Sequence, residues 1–178
     1  VLDVQVGAGF VAVASWAGAH LSRDGRGWHR VSEGLPSGPV AGLALRPAGE
    51  GAPAGAAELW LLCGGSLWRA RAVPADAREE GGLSLEVARE EAIAGRPASE
   101  PPVEIRIDLT AAEVVVLYPR ALALRGASGS QGRWELWVPV LPPGAVARSL
   151  ARAGGSYWLA TDRKKVDAML EKAVGVLK

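Results

Sequence analysis

The segment Ser22-Arg23-Asp24-Gly25-Arg26-Gly27-Trp28 combines residue types and spacing that have a definite local chemistry. An aspartate in a tight turn accepts hydrogen bonds from the backbone amides that follow it. Asp24 stands where it would do this, and Ser22 where it would bond across the same hairpin. Gly25 and Gly27 are expected to take positive φ where the chain reverses. Trp28 is expected to be largely buried, with its apolar face laid over the turn.

The remaining reactive side chains form no motif of catalysis. His20 and His29 flank that segment nine residues apart, with no third histidine and no pair of thiolates, so packing or surface polarity is expected rather than zinc. Cys63 is the sole cysteine, which excludes an internal disulfide. It sits in an apolar run and is expected to be buried and unreactive. Glu79-Glu80 and Glu90-Glu91 are the only acidic doublets, read as solvated charges of loops or strand ends. Tyr118 and Tyr157 are read as structural. Carboxylate pairs for glycoside hydrolysis are non-local and leave no sequence mark. No Walker-type phosphate loop or dinucleotide fingerprint occurs, and Gly7-Ala8-Gly9-Phe10 reads as a hairpin turn. No catalytic, cofactor-binding or metal residue is therefore assigned, and no cofactor is expected. Trp134 and Trp137, three apart in a strand, point to opposite faces. One of them then reaches the surface or a seam between sheets, and both are candidate interaction residues.

These residues need elements to hold them. The chain has 178 residues, one domain or two small ones. Its apolar share of 49% and charged share of 22% exclude a disordered chain. Twenty Lys and Arg against 19 Asp and Glu leave a net charge of +1, which argues against a nucleic-acid footprint. No run of 18 apolar residues exists, so no membrane span is expected. All the lysines and the sole methionine lie in the last fifteen residues, and the body uses arginine alone. Ala- and Arg-rich, Asn-free usage suggests a GC-rich bacterial gene.

Apolar runs are short and bounded by Gly or Pro: Phe10–Trp16, Val40–Leu45, Leu59–Cys63, Glu113–Tyr118, Trp134–Val140 and Ser156–Ala160. Runs of this length, rich in Val, Leu and Trp, predict an all-β chain. Val103–Leu109 alternates apolar and charged residues, as a half-exposed strand does. Loops are expected at 48–57, 73–82, 94–102 and 126–132. The pattern repeats in four units starting near Leu2, Val40, Val103 and Ala145, the spacing of four-stranded blades. From Asp162 the period changes. Val166, Met169, Leu170, Ala173 and Leu177 fall on one helical stripe, so 162–178 is expected to be an amphipathic helix with Asp162 as its N-cap. It would be a lid on this chain's own strands or a docking element for another subunit.

The Ser22–Trp28 segment resembles the Asp-box of the BNR repeat, S-x-D-G-x-x-W, of sialidase-like β-propellers. Trp16-Ala17-Gly18 before it and His29-Arg30-Val31-Ser32-Glu33-Gly34-Leu35-Pro36 after it resemble the flanks of such a blade. Ser156–Asp162 resembles the second strand of a blade, and Leu59–Gly65 the same strand in degraded form. The likeness is tight over residues 10–36 and loose elsewhere, with one complete box. It implies a propeller or partial propeller over residues 1–161, in which the box is structural. The function it implies is a non-catalytic scaffold or protein-interaction module in a bacterial assembly, in the cell envelope or secreted. The alternative is a carbohydrate-active, sialidase-like enzyme or a glycan-binding module, which would gather an arginine cluster, a Tyr–Glu pair and an acid in one cleft. About four blades leave two open edges, so a protein partner, a further chain or another copy is expected to complete the ring.

Overall fold

The computed structural model describes residues 1–49, 51–74, 83–95, 100–108, 113–126, 133–153 and 156–162. These residues are all-β, with fifteen strands in four antiparallel sheets and no helix among them. The helix expected over 162–178, with Val166, Met169, Leu170 and Leu177, lies outside the described residues past Asp162.

The first sheet is a meander of β1 (Asp3–Gly7), β2 (Phe10–Ser15), β3 (Gly18–Ser22) and β4 (His29–Val31). Ala8 (φ 52°) and Gly9 (φ 78°) are both left-handed, as a two-residue hairpin loop between twisted strands requires. The second sheet runs β5 (Val40–Pro47), β6 (Ala57–Cys63), β7 (Ser66–Pro74) and β8 (Leu83–Leu85), and β9 (Arg89–Glu90) also pairs with β7. The third is β10 (Glu104–Asp108), β11 (Glu113–Leu117), β12 (Leu122–Arg125) and β13 (Glu135–Trp137). The fourth pairs β14 (Ala147–Ala153) with β15 (Ser156–Thr161). The strand expected over Trp134–Val140 is shorter than its alternation implies. Only Glu135–Trp137 pairs, and Val138-Pro139-Val140 leaves the ladder at a residue with no N–H to donate.

The sheets stack in chain order, each interface filled by its own apolar cluster. Phe10, Ala12, Ala14 and Leu21 of the first sheet meet Leu43, Leu59, Leu61 and Cys63 of the second. Trp60, Leu62 and Leu67 on the other side of the second meet Ile105, Val114, Val116 and Ala123 of the third. Val115, Leu117, Leu122 and Leu124 then face Ala147 and Leu150 of the fourth. This explains two kinds of strand sequence. In β6 and β11 consecutive apolar residues point to opposite sides, and both sides are covered, so the runs are unbroken. In β2 and β15 one side alone is covered, and burial alternates. The first strands of successive sheets, β1, β5, β10 and β14, lie against one another in that order.

Candidate functional site

Four places on this frame gather polar or exposed groups. At the tip of the first sheet, the Arg26 and Gly27 amides donate to Asp24 Oδ1 at 2.7 and 2.9 Å. Ser22 Oγ donates to the same oxygen at 3.1 Å and accepts from the Gly25 amide at 2.9 Å. Those amide bonds hold the Asp24 carboxyl at about pKa 2, well below the usual carboxylate range. Gly25 has φ 75°, but Gly27 is not left-handed, so one glycine suffices for the reversal. Trp28 departs from the expected burial and is 44% exposed. The β3–β4 ladder stops at Leu21–His29, and the indole, whose Nε1 donates to Gly25 O at 3.2 Å, lines an open hollow with Leu83 and Leu85 of β8.

Carboxylates join the first strands across two of the three sheet interfaces. Asp3 Oδ2 accepts from the Leu43 amide of β5 at 3.0 Å. Glu104 Oε2 accepts from the Leu150 amide of β14 at 2.9 Å and from Ser149 Oγ at 3.1 Å. First strands pair on one edge only, so their outer amides need such acceptors. Between the second and third sheets Gly42 faces Ile105 instead, and no carboxylate clasp is present there among the described residues. A groove of about 440 Å³ runs along β1, β5 and β10, with Asp3, Gln5, Glu104 and Arg106 on its walls.

The third place lies between the second and third sheets. Trp60, fully buried, and Trp134, half-buried, meet edge to face at 5.8 Å. Guanidinium carbons of Arg46, Arg69 and Arg125 stand 5.7, 5.6 and 5.4 Å from the Trp60 ring centre. Glu58 pairs with Arg46 (2.6 Å) and Arg69 (3.6 Å), and Glu91 with Arg69 (2.6 Å) and Arg125 (2.9 Å). Glu91 is thus a partly buried ion-pair partner, not the solvated charge its doublet implies. A sequence signal for this cluster exists at Glu58, the lone charge in the apolar run of β6. Arg125 and Glu91 carry none, because a loop and a neighbouring sheet bring them together.

The opposite side of the third sheet holds a different pair. Tyr157 Oη donates to Glu113 Oε2 at 2.7 Å, and Arg152 lies over the tyrosine ring. Burial, the hydrogen bond to Glu113 and its charge push the Tyr157 phenol up to about 12. Arg125 is the cross-strand partner of Val114, so it shares that residue's side of the sheet, whereas Glu113 points to the other. The arginine cluster and the Tyr–Glu pair therefore do not share a cleft.

The other candidate residues are dispersed. His29 pairs with Leu21 and Arg30 with His20, which puts the two histidines on opposite faces. Among the described residues no group of His, Cys, Asp and Glu has the makings of a metal site. Cys63 is buried and its thiol is pushed up by desolvation. Trp134 packs into the second cluster, and Trp137 is 56% exposed on the other face of its strand. No helix among the described residues is long and apolar enough to cross a membrane.

Each end of the stack presents apolar surface. On the free face of the first sheet Val4 pairs with Val13 and Val6 with Val11, and Val6 is 78% exposed. On the free face of the fourth sheet Trp158, 64% exposed, lies opposite Ala151. No protein-family model, curated protein or solved structure matches the chain.

Proposed function

We propose that this chain is a non-catalytic scaffold unit of propeller type, of the BNR/Asp-box kind, that assembles head to tail with further copies of itself. The observation that carries the reading is the pair of end faces whose apolar residues no described residue covers: the valine ladder of the first sheet and the Trp158 face of the fourth. The polarity of the stack supports the pairing. Inside the chain each sheet offers its far face to the near face of the next, so the same step, continued, sets the fourth sheet of one copy on the first sheet of another. Such a heterologous contact closes into a ring or grows into a filament. Three meanders and a two-stranded hairpin whose first strands lie side by side, and the clasped Ser22–Trp28 turn, support the blade reading. The separation of the arginines from the Tyr157–Glu113 pair favours the scaffold over a sialidase-like enzyme. A bacterial envelope or secreted setting fits the same resemblance.

Sedimentation velocity over a range of concentrations tests this. The wild-type chain is expected to associate, and Val6→Lys and Trp158→Lys are each expected to reduce it sharply with unchanged circular dichroism. Mixing the two variants restores one contact and yields a heterodimer. A wild-type chain that stays monomeric at all concentrations, or a Trp158→Lys chain that associates like wild type, overturns the reading.

A further inference from the structure

Between the second and third sheets charge and hydrogen-bonding capacity do not balance. The ion chain Arg46–Glu58–Arg69–Glu91–Arg125 begins and ends on cations, and both ends lie against the Trp60 ring. Three guanidinium groups face two carboxylates, with side-chain exposures from 8% to 39%. Four buried N–H donors in and beside this cluster have no acceptor among the described residues: Arg46 Nη1, Trp60 Nε1, Arg71 Nε and Trp134 Nε1. A donor left unpaired in the interior is unfavourable, and a cation left in excess there more so. The two carboxylates of the chain are each already shared between two arginines. Beside the cluster lies a cavity of about 240 Å³ walled by Glu58, Arg69, Arg71, Glu86 and Arg89.

We propose that this cluster binds a small oxyanion of the carboxylate or phosphate type, reached through the cavity on its Arg69–Arg71 side. The four unmet groups at this cluster are all donors, so the ligand must bring acceptors. An indole N–H and a guanidinium can only donate. The surplus charge is positive, so the ligand is an anion. An anion bound at the cluster offsets the third guanidinium that the two carboxylates leave unmatched. Arginine forks match the geometry of carboxylate and phosphate oxygens. A metal cation finds no free carboxylate here, and an apolar ligand leaves the donors unpaired.

The test uses the full chain, titrated with sodium acetate and separately with sodium phosphate, ionic strength held constant with sodium chloride. Thermal midpoint and tryptophan emission are followed together. At least one anion is expected to raise the midpoint in a saturable way, and which of the two acts assigns the ligand to carboxylate or phosphate. Arg46→Gln and Trp134→Phe are each expected to weaken the apparent affinity by about tenfold, the effect of one lost charge-assisted bond. Trp134 is half-buried, so that variant keeps the test usable if Arg46→Gln prevents folding. Arg148→Gln, on an exposed arginine of the fourth sheet, leaves the affinity unchanged. Midpoints that follow ionic strength alone, or a saturable response that is the same in Arg46→Gln and Trp134→Phe as in wild type, overturn the proposal.

Discussion

Glu104→Ala cuts the junction between the third and fourth sheets at a single side chain. Glu104 Oε2 is the acceptor for the Leu150 amide and the Ser149 hydroxyl, and Oε1 pairs with Arg106 at 2.6 Å. Leu150 is 3% exposed, so water does not readily replace the carboxylate at its amide. An unpaired buried donor costs about 1–3 kcal/mol. The half-buried Ser149 hydroxyl can turn to solvent and adds roughly 0.5 kcal/mol. Arg106 is 57% exposed, so its ion pair adds at most about 0.5 kcal/mol after screening. The expected loss is about 1.5–4 kcal/mol, a fall of roughly 5–12 °C in thermal midpoint for a chain of this size. Glu104→Gln keeps one acceptor oxygen and is expected to lose about half as much. Ser149→Ala, which leaves the amide bond intact, is expected to lose less than about 1 kcal/mol. Urea unfolding followed by tryptophan emission at pH 7 measures all three. A Glu104→Ala loss below about 0.5 kcal/mol, or one no larger than that of Ser149→Ala, refutes the argument that a carboxylate ties the first strands together.

Two ionisable groups give pH predictions of opposite sign. Asp24 is depressed to about 2 by the Arg26 and Gly27 amides, so its contribution is complete above the ordinary value of about 3.9 and disappears as pH falls through 2. The stability gap between wild type and Asp24→Ala is therefore constant near neutrality and narrows between those values, and a carboxyl that titrates near 4 by NMR contradicts the turn geometry. Tyr157 is raised to about 12 by burial and by Glu113, so its contribution is complete below about 10 and is lost as pH rises towards 12. The difference in phenolate absorbance between wild type and Tyr157→Phe should appear near 12, and a midpoint near 10 would mean that the Glu113 contact does not form.

The sequence by itself determined the class of structure and the local devices. Short apolar runs between glycines and prolines can bury themselves only as strands, and the observed sheets begin at Asp3, Val40, Glu104 and Ala147. Asp24 finds its partners within three residues, so its clasp follows from order along the chain alone. The same locality misled at Trp28, because burial depends on what another element brings near, and the hollow it shares with Leu83 and Leu85 stays open. The unbroken runs of β6 and β11 hinted at two covered faces, whereas which sheets cover them is a tertiary fact. Glu91 and Arg125 are 34 residues apart and meet only because the second and third sheets stack. Glu104 and Leu150 are 46 apart and meet only at the next junction. Strand parity decided that the arginine cluster and the Tyr157–Glu113 pair occupy opposite sides of the third sheet. Parity becomes a side of the molecule only once neighbouring sheets give each face its partner, and that step required the tertiary structure.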